Sequence, residues 1–243
     1  MSASNSSADQ FPGLAHHFES YEQQKESSFL GMWLFLVQEV MFFGGLFVTY
    51  VVYRSLYSDS FALGSQQLDV KLGALNTVIL LISSFTMVYA VVGAQRGNKK
   101  MIVWGLILTI IFGGAFLGIK WQYEYLPKWD HHLAPGEHFD FQSALAYKAS
   151  HGDGHAVPDL GGVTPKGVEI FFCLYFVMTG MHALHMVVGI GIMLVMIPLA
   201  WRGHWTPQNH NFVEGFGLYW HFVDIVWIFL FPFLYLLGLA GTH

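Results

Sequence analysis

Apolar residues run almost unbroken through five stretches, near 29–53, 72–94, 101–119, 168–201 and 216–239, and charge, glycine and proline return between them. A bilayer core of about 30 Å is crossed by roughly 20 mostly apolar helical residues, and each stretch meets that length within a residue or two. The pattern predicts an all-α fold, a polytopic transmembrane helix bundle with five spans. Residues 1–28 read as a polar extramembrane segment and 29–243 as the membrane bundle. The fourth stretch is long enough to tilt or to project beyond the hydrocarbon. Between the third and fourth spans a long extramembrane loop is expected over 120–167, with Pro127, Pro135, Pro158, Pro165 and five histidines. No period of about 20–50 residues repeats, which excludes a solenoid.

Composition sharpens this picture. The chain is 54% hydrophobic and 11% charged, against roughly 25% charged in an ordinary soluble domain. A net charge of -5 with 11 Lys+Arg offers no basic stripe for nucleic acid. Cys173 is the only cysteine, so no disulfide or cysteine-based metal site forms within the chain. The first 28 residues lack the basic and then apolar order of a signal peptide. Short basic loops stay in the cytoplasm, and Arg96, Lys99 and Lys100 form the densest positive cluster. That places the N-terminus in the cytoplasm and, after five crossings, the C-terminus on the opposite side. Lys120, Lys128, Lys148 and Lys166 fall in the long loop and are discounted there, because long loops translocate largely regardless of charge.

Ionisable residues inside the spans demand a reason, because one at a helix centre costs roughly 2.5–3.5 kcal/mol even on the lenient insertion scale. Glu39 stands near the middle of the first span among Phe35, Leu36, Phe42 and Phe43. It reads either as a protonated carboxyl bonded to a neighbouring helix or as part of a proton relay or lipid contact. In the fourth span, His182 and His185 lean to the same side of a helix. Such a pair can hold a metal or a haem edge, or simply bond across helices. His221 and Asp224 repeat the spacing in the fifth span between Trp220 and Trp227. A carboxylate-bridged di-iron bundle needs more intramembrane acids than Glu39, Asp224 and an edge Glu169 provide. Three intramembrane histidines are also too few for a haem-copper core, although a bis-histidine haem site stays open in principle. Gly44, Gly45, Gly113, Gly114, Gly118, Gly189 and Gly191 predict close helix contacts. The loop histidines His131, His132, His138, His151 and His155 have no fixed zinc spacing.

These residues carry a resemblance. Gln38-Glu39-Val40-Met41-Phe42-Phe43, Leu75-Asn76-Thr77, Tyr123-Glu124-Tyr125 and Thr179-Gly180-Met181-His182-Ala183-Leu184-His185 resemble successive segments of subunit III of the cytochrome c oxidases. So does Glu214 ahead of Tyr219-Trp220-His221-Phe222-Val223-Asp224. Met181 and Ala183 depart from the family's Thr-Gly-Phe-His-Gly-Leu-His. The segments follow in order from Phe29 to Gly238, and the chain resembles the family's five-helix form, lacking the first two helices of seven-helix members.

The resemblance implies an accessory, phospholipid-binding subunit of a proton-pumping haem-copper oxidase in an energy-transducing membrane, most simply the bacterial plasma membrane. Haem and copper are then expected in subunit I and none in this chain, with subunits I and II as partners. Glu39 maps to the family's buried glutamate, with His185, and His182 beside it, as partners. His221 and Asp224 join them as buried polar residues, and Phe42, Phe43, Glu214, Trp220 and Trp227 are motif residues that can contact lipid. No residue is expected to be catalytic. The equivalent subunit of a quinol oxidase or a nitric oxide reductase fits the same motifs. A stand-alone proton-coupled transporter would explain the ionisable residues too, but it predicts inverted repeats and broken helices that five spans do not display.

Overall fold

The computed structural model describes residues 21–130, 133, 139–145, 162–207 and 209–237. The principal helices are α1 (Tyr21–Leu56), α2 (Ser58–Ser65), α3 (Val70–Gln95), α4 (Lys99–Lys120), α5 (Leu126–Asp130), α6 (Pro165–Arg202) and α7 (Asn211–Phe231). Wider π turns follow α4 at Trp121–Tyr125 and α7 at Pro232–Leu236. Five helical runs are long and apolar enough to cross a membrane: Glu22–Leu56, Val70–Gln95, Lys99–Asp130, Pro165–Arg202 and Asn211–Leu236. Among the described residues there is no β-strand, and the chain is an integral membrane protein built of helices.

Polar punctuation fixes where these helices begin. Asp69 accepts from the Lys71 and Leu72 amides at the start of α3, at 2.8 and 3.1 Å. Asn98 caps α4 in the same way, and Thr164 accepts from the Gly167 amide ahead of α6, with Pro165 in its first turn. Each cap satisfies amides that a helix start leaves without partners. Gly97 closes α3 with φ 66°, while the Asn98 and Gly97 amides reach back to the Gly93 and Ala94 carbonyls. Only a residue without Cβ takes that left-handed turn at little cost, and it sends the chain straight back as α4.

Helix extends beyond the apolar stretches at two ends, and a short helix lies between the first two spans. Residues 21–28, within the segment read as extramembrane, form the first two turns of α1, where Gln and Glu are good helix formers and Glu22 suits the N-terminal dipole. The link between the first two spans holds α2, whose Phe61 ring packs edge-on against Phe171 of α6 at 5.5 Å. The third helix, whose apolar stretch ends near residue 119, continues through its π turn into α5 as far as Asp130, over residues expected in the long loop.

Helices α3 and α4 form a hairpin, α4 packs on α6, α6 on α7, and α7 returns to α3, closing a four-helix ring. Lipid tails are as apolar as leucine, so close packing and polar bonds hold such a ring. A Cβ on Gly105 would stand 2.7 Å from the Ala90 backbone, so the hairpin depends on that glycine. Gly113 and Gly189 flank the Trp220 ring, where an added Cβ would meet it at 3.0 and 2.7 Å. The other five glycines expected at helix contacts, Gly44, Gly45, Gly114, Gly118 and Gly191, face open space and make none. α1 lies outside the ring against α6 and α7, with 17% of its apolar window buried against 50% for α7.

Candidate functional site

Where α1 crosses α6, the Glu39 carboxyl meets His185 with Oε2 3.1 Å from Nε2. This is the pairing expected from the sequence. The other ring nitrogen, Nδ1, lies 2.7 Å from the Met181 carbonyl oxygen. A carbonyl can only accept, so Nδ1 carries a proton. Nε2 then either accepts from a protonated Glu39 or donates, within an imidazolium, to a carboxylate. In either arrangement the two side chains satisfy one another where α1 meets α6. The Phe43 ring packs against His185 at 5.4 Å, and the Tyr219 hydroxyl donates to the His185 backbone carbonyl at 2.8 Å. Phe42, its neighbour, is exposed.

His185 also lines a cavity of about 680 Å³ between α1 and the α6–α7 face. Met32, Phe35, Val188 and Ile192 give it apolar walls, and Ser28 and Asn211 lie toward its end.

The remaining predicted residues separate. His182 does not join Glu39: it points into the ring, 5.5 Å from the Phe116 ring and 5.3 Å from Trp227, with both nitrogens unbonded. Three residues along a helix turn the direction by about 60° short of a full circle, which suffices to aim one histidine at α1 and the other at the core. His221 bonds Ser84 Oγ at 2.6 Å instead of Asp224. Asp224 is buried, with Ser84 as its polar neighbour. Trp220 donates to Ser83 and Trp227 to Thr77, each at 3.1 Å. Glu214 accepts from Gln95 at 2.7 Å and lies 3.2 Å from His210 Nε2.

A second polar cluster was missed by the sequence reading. Lys120 Nζ stands 2.5 Å from Glu124, the Tyr235 hydroxyl donates to Glu124 Oε1 at 2.7 Å, and Tyr175 donates to the same carboxylate. Lys128 donates to the Glu124 backbone carbonyl at 3.4 Å, over the Tyr175 ring. Lys120 and Lys128, expected in a solvated loop, are buried at 2% and 1% exposure. The i, i+4 spacing of Lys120 and Glu124 was the available signal. Among the described residues no group of three or more His, Cys, Asp or Glu is placed to hold a metal. The loop histidines His131, His132, His138, His151 and His155 lie outside the described residues.

Comparison with known proteins follows this geometry. The family model for cytochrome c oxidase subunit III matches residues 16–134 and 167–239. Quinol oxidase subunit 3 of Bacillus subtilis is 33% identical over 224 residues, covering 90% of this chain and 93% of the relative. Cytochrome c oxidase subunit 3 of Thermostichus vulcanus is 29% identical over 229 residues, covering 93% and 94%. Cytochrome bo(3) ubiquinol oxidase subunit 3 of Pseudomonas aeruginosa is 28% identical over 227 residues, covering 93% and 92%. With the family model matched on both sides of the long loop, the chain belongs to the cytochrome c oxidase subunit III family, whose members are subunits of haem-copper oxidases of both cytochrome c and quinol types.

Proposed function

We propose that this chain is the accessory, phospholipid-binding subunit of a proton-pumping terminal oxidase, sustaining the stability and proton uptake of subunit I in aerobic electron transport. One observation carries the reading: His185, bonded to Glu39, lines an apolar cavity between a loosely held outer helix and a closed ring. That arrangement suits a lipid chain lodged beside a hydrogen-bonded Glu–His pair. Haem and copper belong in this reading to subunit I, which with subunit II forms the partner surface. The N-terminus and the Arg96–Lys100 turn face the cytoplasm of a bacterial plasma membrane, and the C-terminus faces the other side.

Purification in mild detergent tests the assignment. This chain is expected to co-purify with a larger subunit carrying haem and copper and with bound phospholipid, and recovery of the chain alone at full yield refutes it. The names of the Bacillus and Pseudomonas relatives favour a second reading, with quinol as electron donor. Oxygen consumption by the same complex with reduced cytochrome c or with a quinol separates the two.

A further inference from the structure

A smaller cavity, of about 280 Å³, lies where α1 meets α3 and α7. Phe29, Val88, Val91 and Leu218 wall it, and His221 and Glu214 are its two polar side chains. Phe29, Val88 and Leu218 are each more than a third exposed, so the cavity opens onto the hydrocarbon around the bundle. His221 Nδ1 lies 2.6 Å from Ser84 Oγ, whose other polar neighbour is Asp224. That bond fixes the imidazole and leaves Nε2 without a partner among the described residues. Whichever atom carries the proton of the Ser84 bond, Nε2 takes the complementary role. A hydroxyl both donates and accepts, so it matches Nε2 in either tautomer. Glu214 uses Oε1 for Gln95 and His210, which leaves Oε2 as an acceptor.

Depth narrows the choice of ligand. The fifth span runs Asn211–Leu236, so its centre falls between Val223 and Asp224. His221 is then about 4 Å from the midplane, and Glu214 about 14 Å from it, at the edge of a hydrocarbon core of about 30 Å. Phospholipid headgroups stay outside that core, and the one charged group on the wall is an acid, which repels a phosphodiester. The ligand must instead carry a hydrogen-bonding group into the hydrocarbon. Spacing adds to this. Seven residues bring His221 and Glu214 onto the same side of α7, about 10.5 Å apart along its axis, with both side chains leaning toward its N-terminus. An aromatic ring with hydroxyls at opposite ends, roughly 5–6 Å apart, spans about 11 Å once a hydrogen bond of about 2.8 Å is added at each end. The volume falls just below the roughly 300 Å³ at which small-molecule sites begin, which suits one ring and excludes a two-chain lipid.

We propose that this cavity binds the ring of a membrane quinol, with one hydroxyl on His221 Nε2, the other on Glu214, and the apolar tail in the surrounding hydrocarbon. A carboxylate only accepts, so the site favours the quinol, whose hydroxyls donate, over the quinone, whose carbonyls cannot. The site goes beyond the accessory role, is separate from the cavity beside His185, and stands whichever electron donor the oxidase uses.

Photolabelling in membranes that contain the full chain tests this. The probe is a decyl quinol bearing an aryl azide and kept reduced, and the labelled peptides of this chain are mapped by mass spectrometry. Label is expected on the peptides holding Val88–Val91 or Glu214–His221. Excess decyl quinol should protect them, decyl quinone less well, and decylbenzene, with the same ring and tail but no oxygens, not at all. His221→Phe should weaken protection by decyl quinol roughly threefold to tenfold, the worth of one hydrogen bond. Val88 faces lipid, so Val88→Trp fills the cavity from its open side without entering the helix ring, and it should abolish the label. That variant decides the matter if His221→Phe fails to assemble. Label confined to other subunits, equal protection by decylbenzene or phosphatidylglycerol, or undiminished label in the Val88→Trp chain overturns the site.

Discussion

Single atoms decide where this bundle tolerates change. Trp220 is fully buried, fixed by its bond to Ser83 and clasped between Gly113 and Gly189, so it has no room to retreat. Gly189→Ala would set a methyl 2.7 Å from its ring, a conflict worth about 1–3 kcal/mol by the usual cost of overpacking. Gly44→Ala meets nothing within 4 Å and should stay within about 0.5 kcal/mol of the unsubstituted protein. Thermal unfolding in detergent checks both, and equal losses would contradict the packing described. Glycine count alone could not make this distinction, because which side of a helix faces a neighbour is a property of the assembled ring. Glu39 was legible for the opposite reason: a carboxyl in an apolar run needs a partner, and few side chains in the other spans could serve.

At the scale of elements, the five crossings were legible because lipid demands long apolar helices, whereas their ends were not. The third helix runs on through Lys120, Glu124 and Lys128, charges that look like a loop until they are seen to bond one another and two tyrosines. The helix α2 escaped notice because its eight residues, with three serines and a glycine, carry no apolar stripe of span length. The buried cluster ties the end of α4 to Tyr175 of α6 and to Tyr235 beyond α7. Glu124→Leu would strand Lys120 and two hydroxyls, and breaking one side of a buried ion pair typically costs about 3–5 kcal/mol. Lys120→Met combined with Glu124→Leu removes both charges of the 2.5 Å pair and should cost less than Glu124→Leu alone. A double-mutant cycle on detergent unfolding measures this, and strict additivity would show that the two side chains do not act together.

For the whole molecule, topology is the first consequence of the charge pattern. In a Cys173→Ser background, a cysteine at Lys100 should react with impermeant thiol reagents only from the cytoplasmic side, and one at Ser58 only from the other. Labelling of Lys100Cys from outside would reverse the orientation. The candidate site divides along similar lines: Glu39 and His185 were foreseeable as a pair, but the cavity beside them arises only because α1 stands off from the ring, which no local pattern encodes. That separation also bears on what the pair does. Glu39 and His185 bond one another at the α1–α6 contact, so their loss should leave the haem spectrum and initial rate of the assembled oxidase nearly unchanged, because neither would stabilise a transition state. Glu39→Ala strands the His185 Nε2, and His185→Ala strands the carboxyl; each loosens the α1–α6 contact that closes the cavity. The effect should therefore appear with time, as falling lipid retention and faster inactivation over many turnovers. Oxygen consumption followed to exhaustion, beside native mass spectrometry of bound lipid, reads both. An immediate hundredfold fall in rate with full assembly would mean that the pair feeds protons to the chemistry directly, and the accessory role proposed for this subunit would be wrong.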